Sequence, residues 1–313
     1  MQRHVEAMPG GRFWRAWPWP INARLWPDLQ ALSPFRRAWM QPEEAPPLGR
    51  LGSLEIRLAR SAKEIRLAQR LRYRVFYEEM TAEPDTRMRL VRRDMDAFDA
   101  LCDHLLVLDH AAEGSGLRRE PQVVGTYRLL RQPVAERHRG FYTAGEFAIN
   151  ELVSRRPDLR FLELGRSCVL APYRNKRTVE LLWHGIWSYV LEHRIDVMFG
   201  CASLEGTDPD RLALPLSFLH HFARAEEPWR VSALGAHAVA MDRLPKNEID
   251  PKLALRELPP LIKGYLRLGA CVGEGAVVDR QFGTTDVLVV LPVAGISGRY
   301  INHFGQSAER HAA

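Results

Sequence analysis

Residues 161–193 constrain the fold of this 313-residue chain more than any other stretch, because an apolar run broken by charges passes through a basic turn into a helical pattern. Leu162, Leu164, Val169 and Leu170 have the composition of a core strand, yet Glu163, Arg166 and Ser167 stand where a buried strand is normally apolar. Charges in such places need partners. A regular strand sends Glu163 and Arg166, three apart, to opposite faces. An extra unpaired residue at Gly165 instead turns them toward one side and splays the neighbouring strand. The splay leaves backbone N–H groups near Cys168, Val169 and Leu170 at an opening in the sheet. The same pattern also admits a plain ion pair at a strand end.

After Pro172 the run Arg174, Asn175, Lys176, Arg177 and Thr178 opens a helix that continues to His193, with Leu182, Ile186, Tyr189 and Val190 at helical spacing and Thr178 as cap. A helix start offers unpaired N–H groups and partial positive charge, which suit a phosphate. There is no Gly-x-Gly here, so the turn is neither a Walker loop nor a dinucleotide fingerprint. The single bridging phosphate of a phosphopantetheine arm fits such a site, and the Lys and Arg side chains suit an acidic carrier. A solvated basic helix start is the alternative.

Elsewhere the pattern gives a strand over 53–59, then a helix to about residue 79 opened by the capping box Ser61-Ala-Lys-Glu64. A charge-rich loop covers 81–100, and strands over 104–108 and 123–130 are joined by a hairpin-like linker at 111–116. Strands follow at 197–202, 231–241 and 285–291, with helices at 209–222 and 259–268. No repeat is visible. The expected fold class is α/β (α+β), a mixed, mostly antiparallel central sheet splayed at a bulged strand with helices on both faces.

Cys102, Cys168, Cys201 and Cys271 lie far apart with no metal-ligand spacing and read as reduced thiols, so no metal site is expected. No signal peptide or apolar run of about 18 residues occurs, which disfavours secretion and membrane spanning and favours the cytoplasm. The spacing of His104 and Asp109 imitates a catalytic pair, but the strand between them sends the two to opposite faces. His220 and His221 read as a helix-end feature, since no third ligand has suitable spacing.

Residues 1–50 differ in kind: five of the chain's eight tryptophans lie there among arginines and prolines. Trp with Arg suits the headgroup zone of an anionic bilayer, while Pro18, Pro20 and Pro27 exclude one continuous helix. An arm packed on the domain, or one stacked on single-stranded nucleic acid, is the alternative; no nucleic-acid partner is expected. The net charge of +6 suits an acidic carrier or anionic lipid and selects neither. The expected organisation is an arm over 1–50, one domain over 51–295 and a tail over 296–313.

Five motifs together carry a family likeness: Leu71-Arg-Tyr-Arg-Val-Phe-Tyr-Glu-Glu-Met80, the acidic run Asp94, Asp96 and Asp99, Val124-Gly-Thr-Tyr-Arg-Leu-Leu130, Glu163-Leu-Gly-Arg166, and Pro259-Pro-Leu-Ile-Lys-Gly-Tyr265. From about residue 54 to 293 the chain resembles bacterial ornithine N-acyltransferases, lyso-ornithine lipid synthases of the GNAT superfamily related to acyl-homoserine lactone synthases. The resemblance implies a V-shaped opening in the sheet, a 3-hydroxyacyl thioester on acyl carrier protein as co-substrate, ornithine as acceptor, and no bound cofactor. Glu163 is then the expected base, and N–H groups of Cys168 to Leu170 the oxyanion donors. Arg128 or Arg166 holds the amino-acid carboxylate, and Asp94, Asp96 or Asp99 meets the distal ammonium. Tyr265 protonates the departing thiolate or is a buried structural tyrosine. A lactone synthase and a non-catalytic carrier- or lipid-binding module are the rivals; the tryptophan usual in lactone synthases after the first helix is not evident.

Overall fold

The computed structural model describes residues 46–80, 82–112 and 121–296. Residues 1–45 of the arm expected over 1–50, most of the 111–116 linker and the tail beyond residue 296 lie outside the described residues; Leu48 is buried and Gly49 and Arg50 enter the sheet, so the domain begins before residue 51.

A nine-stranded sheet organises the fold: β1 (Gly49–Leu51), β2 (Leu54–Leu58), β3 (Asp103–Asp109), β4 (Gln122–Arg131), β5 (Phe161–Val169), β6 (Val197–Glu205), β7 (Ala238–Val239), β8 (Cys271–Asp279) and β9 (Thr284–Pro292). In space the order is β1-β2-β3-β4-β5-β6-β9-β8-β7. Every pairing is antiparallel except β5 with β6. Eight α-helices are described: α1 (Ala62–Tyr73), α2 (Thr86–Val91), α3 (Gln132–Arg137), α4 (Ile149–Arg155), α5 (Lys176–His193), α6 (Ala213–Ala223), α7 (Pro251–Glu257) and α8 (Pro260–Leu268). None of the described helices is long and apolar enough to cross a membrane.

Two helices define the faces of the sheet that matter here. Ser61 caps α1 by accepting from the Glu64 N–H, and the helix runs on as wider π-helical turns through Arg74–Glu79. It packs on β4 and β5, the side from which Arg128 projects. On the opposite side α5 crosses β1 to β4 so closely that a Cβ on Gly185 would come 2.6 Å from Ile56. Asn175, not Thr178, caps α5: its side chain accepts from the Thr178 N–H, and Thr178 is buried in the first turn.

The lone parallel pairing is short. Phe161, Leu162 and Glu163 face Val197, Met198 and Phe199, and there the partnership stops. Beyond it β5 stays with β4 as far as Val169, while β6 follows β9 as far as Glu205. The strands part at Gly200, where a Cβ would lie 2.2 Å from the Leu164 carbonyl oxygen. The result is a wedge between β5 and β6. On β5 the register slips between Thr126↔Cys168 and Arg128↔Gly165, so Arg166 and Ser167 share the place opposite Tyr127. The bulge thus falls on Arg166, at φ +49°, and not on Gly165.

One other expectation changes, and the strand β8 was not foreseen. Residues 231–241 do not form one strand; apart from β7, the single bridge of Ser232 to Glu274 joins them to the sheet. The strand in this region is β8, whose alternation is hidden by Gly273 and Gly275. A Cβ on Gly273 would lie 2.8 Å from the Val231 carbonyl, and Gly275 sits at φ +80°, so the crossing segment dictates both glycines.

Candidate active site

On the α1 side of the wedge three arginines meet three aspartates. Arg72, fully buried on α1, donates through Nε to Asp94 (2.7 Å) and through Nη2 to Asp99 (2.7 Å). Arg128 donates to Asp96 at 2.7 Å and to Asp99 at 3.4 Å. Arg166 lies 3.4 Å from Asp94 and 3.5 Å from Asp96. The motifs therefore converge, but Asp94 and Asp99 are spent: Asp94 also accepts from the Tyr77 hydroxyl, and Asp99 from Gln69. The buried Arg72 guanidinium helps hold the Asp99 carboxyl below the usual range against the cost of burial. Both are buried, so neither is open to a substrate ammonium. Asp96 differs, because its buried Oδ2 accepts no hydrogen bond. Arg72 had no role in the sequence reading, although it stands inside the Leu71 motif.

Arg166 is the least committed of these arginines. Its guanidinium lies between two rings, 5.0 Å from Tyr142 and 4.6 Å from Phe282, and its buried Nε makes no close hydrogen bond among the described residues, only the longer ion pair to Asp94. Flat aromatic walls hold the planar cation by its faces and leave its edges to anions, here Asp94 and Asp96. Phe282 is carried by the β8–β9 turn, which Asp279 closes by accepting from the Gln281 and Phe282 N–H groups. Arg128 is bound to Asp96 and lies 5.7 Å from both Phe98 and Tyr142, so it braces the acidic run.

The bulge does turn Glu163 and Arg166 to one side, since both reach Tyr142, but they do not form an ion pair. Glu163 is 5% exposed, and its two carboxylate oxygens accept the backbone N–H groups of Tyr142 (3.0 Å) and Thr143 (2.6 Å). Burial outweighs these hydrogen bonds and raises its pKa. With both oxygens engaged and almost no exposure, this carboxylate is badly placed to take a proton from an incoming amine. It anchors the 142–147 loop instead, which departs from the role expected from sequence.

That loop delivers a residue the sequence reading missed. Glu146 follows the turn at Tyr142–Gly145, and its Oε2 accepts the thiol of Cys201 at 3.2 Å. Its carboxylate lies within 4.8 Å of those of Asp279 and Asp286. Burial, and then the charge of Asp286, push its pKa up to about 7. No local pattern marks Glu146, because its neighbours come from β6 and β9.

The α5 side of the wedge is lined mostly by apolar residues. Tyr265 on α8 is buried, shares a hydrogen bond of 3.2 Å with Tyr127, and lines a small cavity with Leu164 and Gly200 where the strands part. Leu170 cannot supply an oxyanion donor, because its N–H is given to Val124 at 2.9 Å. Strand alternation turns the Cys168 N–H the same way and the Val169 N–H toward the gap. The Val169 carbonyl points there too, and receives Arg174 at 2.9 Å. Arg174 also meets Glu79 at 2.5 Å, and Lys176 lies 3.5 Å from Glu180; Asn175 and Arg177 are exposed.

All four cysteines are free, with burial raising Cys168 to about 12. His104 donates through Nε2 to the Asp99 carbonyl oxygen while Asp109 receives Tyr173, so the imitation pair is indeed apart. His220 and His221 occupy the last turn of α6 as expected, but Asp242 does approach both, at 3.8 and 3.0 Å.

A family model described as an acetyltransferase (GNAT) domain matches residues 71–184. An L-ornithine N(alpha)-acyltransferase of Rhizobium meliloti (strain 1021) is 60% identical over 266 residues, 85% of this chain and 89% of the relative. The protein of the same name from Brucella abortus (strain 2308) is 55% identical over 84% of this chain and 92% of its own length. That of Rhodobacter capsulatus is 42% identical over 82% of this chain and 96% of its own length.

Proposed function

The chain belongs to the L-ornithine N(alpha)-acyltransferase family, and on that premise we propose that it joins a 3-hydroxyacyl group, carried as a thioester on acyl carrier protein, to the α-amine of ornithine. The product is a lyso-ornithine lipid. Amine and thioester give amide and thiol with no change of oxidation state, so the chemistry calls for no redox cofactor. The observation that supports the reading is Arg166, a buried guanidinium held between Tyr142 and Phe282 that meets Asp94 and Asp96 only at 3.4 and 3.5 Å, loosely enough for a substrate's own charges to join the pairing.

An amino acid brings the matching charges. Its carboxylate pairs with Arg166, and its distal ammonium meets Asp96, while Arg72 and Arg128 hold the acidic run in place. The thioester enters the wedge from the α5 side, with its carbonyl oxygen toward the Val169 N–H. Tyr265 stands near the sulfur, where its hydroxyl can pass a proton to the leaving thiolate. Arg174, Asn175, Lys176 and Arg177 at the start of α5 receive the phosphate of the pantetheine arm and the acidic face of the carrier, whereas Thr178, buried with its N–H given to Asn175, does not share in this role, contrary to the expectation from sequence. Work at the cytoplasmic side of a membrane, with the 1–45 segment touching anionic lipid, fits an enzyme whose product is a lipid.

The reading is tested by incubating purified protein with 3-hydroxyacyl carrier protein and a panel of labelled amino acids. The expected result is an amide from ornithine with release of the free carrier thiol, and little from glycine or glutamine. Methylthioadenosine formed from S-adenosylmethionine, with no acylornithine, would instead favour the lactone-synthase reading.

A further inference from the structure

The reaction needs a group to take the proton from the α-ammonium, and the carboxylates on the α1 side differ in what they have left to offer. Asp94 and Asp99 are tied to Arg72, and Asp96 to Arg128. Glu163 gives both oxygens to backbone amides. Asp286 receives the Thr284 and Ser203 hydroxyls, and Asp279 closes a turn. Among the described residues, the Glu146 carboxylate accepts only the thiol of Cys201, a weak donor. It is also the one of these carboxylates attached to the residue just past the parting of the strands. Cys201 follows Gly200, and alternation along β6 turns it to the α1 face with Phe199, so the carboxylate stands at the root of the wedge on the acceptor side. Its backbone is fixed at both ends of the turn: Glu146 N–H donates to Thr143, and its carbonyl accepts Leu234 at 2.7 Å.

We propose that Glu146 is the general base of the acyl transfer, and that Glu163, the anchor of its loop, is a positioning residue. The proposal rests on the function argued above. Ornithine enters with its α-nitrogen protonated. Glu146 takes one proton, the freed lone pair forms the N–C bond to the thioester carbon, and the tetrahedral intermediate collapses with loss of the C–S bond. The electron pair leaves on the pantetheine sulfur, which departs as the thiol with a second proton from the same nitrogen. Glu146 returns its own proton to solvent. A carboxyl balanced near neutrality is well matched to this task. The groups facing it are Asp286 from β9, Asp279 from the β8–β9 turn, Cys201 from β6, Arg166 from β5, and Tyr142 and Thr143 from its own loop.

The test is kcat at saturating ornithine from about pH 5.5 to 9, for the parent chain, Glu146→Gln, Glu146→Asp and Glu163→Gln. The parent should lose rate as pH falls through about 7. Glu146→Gln should lose about 10²- to 10⁴-fold in kcat and the acid limb with it, with the donor KM near the parent value. Glu146→Asp should keep the limb at reduced rate, and Glu163→Gln should keep the limb while melting earlier. A Gln variant that turns over at the parental rate, or retains the limb near 7, overturns the base assignment and leaves the acylornithine product standing. If the parent chain forms no acylornithine at all, the function falls and the base with it.

Discussion

Arg166 carries an unusual load for one side chain: it sits at φ +49° on a bulge, between two rings, with Asp94 and Asp96 at 3.4 and 3.5 Å. A non-glycine residue held in the left-handed region is costly unless the surroundings gain from it. Here the fork meets Asp94 and Asp96 and, on the proposed reading, the substrate carboxylate, and lysine cannot reproduce a fork. Arg166→Lys should raise the apparent KM for ornithine by about 10-fold or more while the carrier KM stays put, as steady-state kinetics would show. Glu146 is tested by stability as well. Its pKa of about 7 exceeds the unfolded carboxylate value, so the folded form loses stability as pH rises from the unfolded pKa toward 7 and keeps that deficit above it. Glu146→Gln should therefore melt later than the parent at pH 8, by the equivalent of ~3 kcal/mol or less, and should show no gain near pH 4. A lower melting temperature at pH 8 would mean that the carboxylate supports the fold. At this scale the sequence announced Glu163 and Arg166, because charges inside an apolar run stand out. Glu146 had no such contrast, since Cys201 and Asp286 give it its character from 55 and 140 residues away.

Among elements, the wedge depends on one residue. Gly200 lets β6 pass the Leu164 carbonyl where pairing with β5 ends, and that backbone oxygen cannot retreat as a side chain can. Gly200→Ala should destabilise the protein by about 1–3 kcal/mol and lower kcat with it, read from thermal melts and turnover. Gly165→Ala, whose Cβ would meet nothing within 4 Å, should melt near the parent value. The sequence made β3, β4, β5, β6, β9, α1, α5 and α8 legible through apolar periodicity and a serine cap. Asn175 displaced Thr178 as the α5 cap because either side chain satisfies the rule and only the turn geometry chooses. β8 was hidden for a different reason: Gly273 and Gly275 answer to the crossing of residues 231–233, a tertiary contact that leaves no alternation to read. That same crossing gave residues 231–241 apolar character without a continuous ladder.

For the whole molecule, the two faces of the sheet divide the labour: charged groups gather under α1, while α5 and α8 offer apolar walls and a basic helix start. On the proposed reading, the net charge of +6 favours encounter with an acidic carrier, an effect that salt weakens. Replacing Lys176 and Arg177 together by Glu should raise the apparent KM for the acyl carrier several-fold at low salt and much less at high salt, with the ornithine KM unmoved. Equal kinetics at both salt levels would place carrier docking elsewhere. The family likeness and the wedge were both readable from five short motifs, whereas the assignment of carboxylates to tasks was not, because it turns on which oxygens are already bonded. The most direct measurement is the mass spectrum of the amide formed from ornithine carrying ¹⁵N at the α-position and ¹⁴N at the δ-position. Fragmentation should find the acyl chain on ¹⁵N; an acyl chain on the δ-nitrogen, or no amide, would contradict an acceptor held by Arg166 with its α-nitrogen at the wedge.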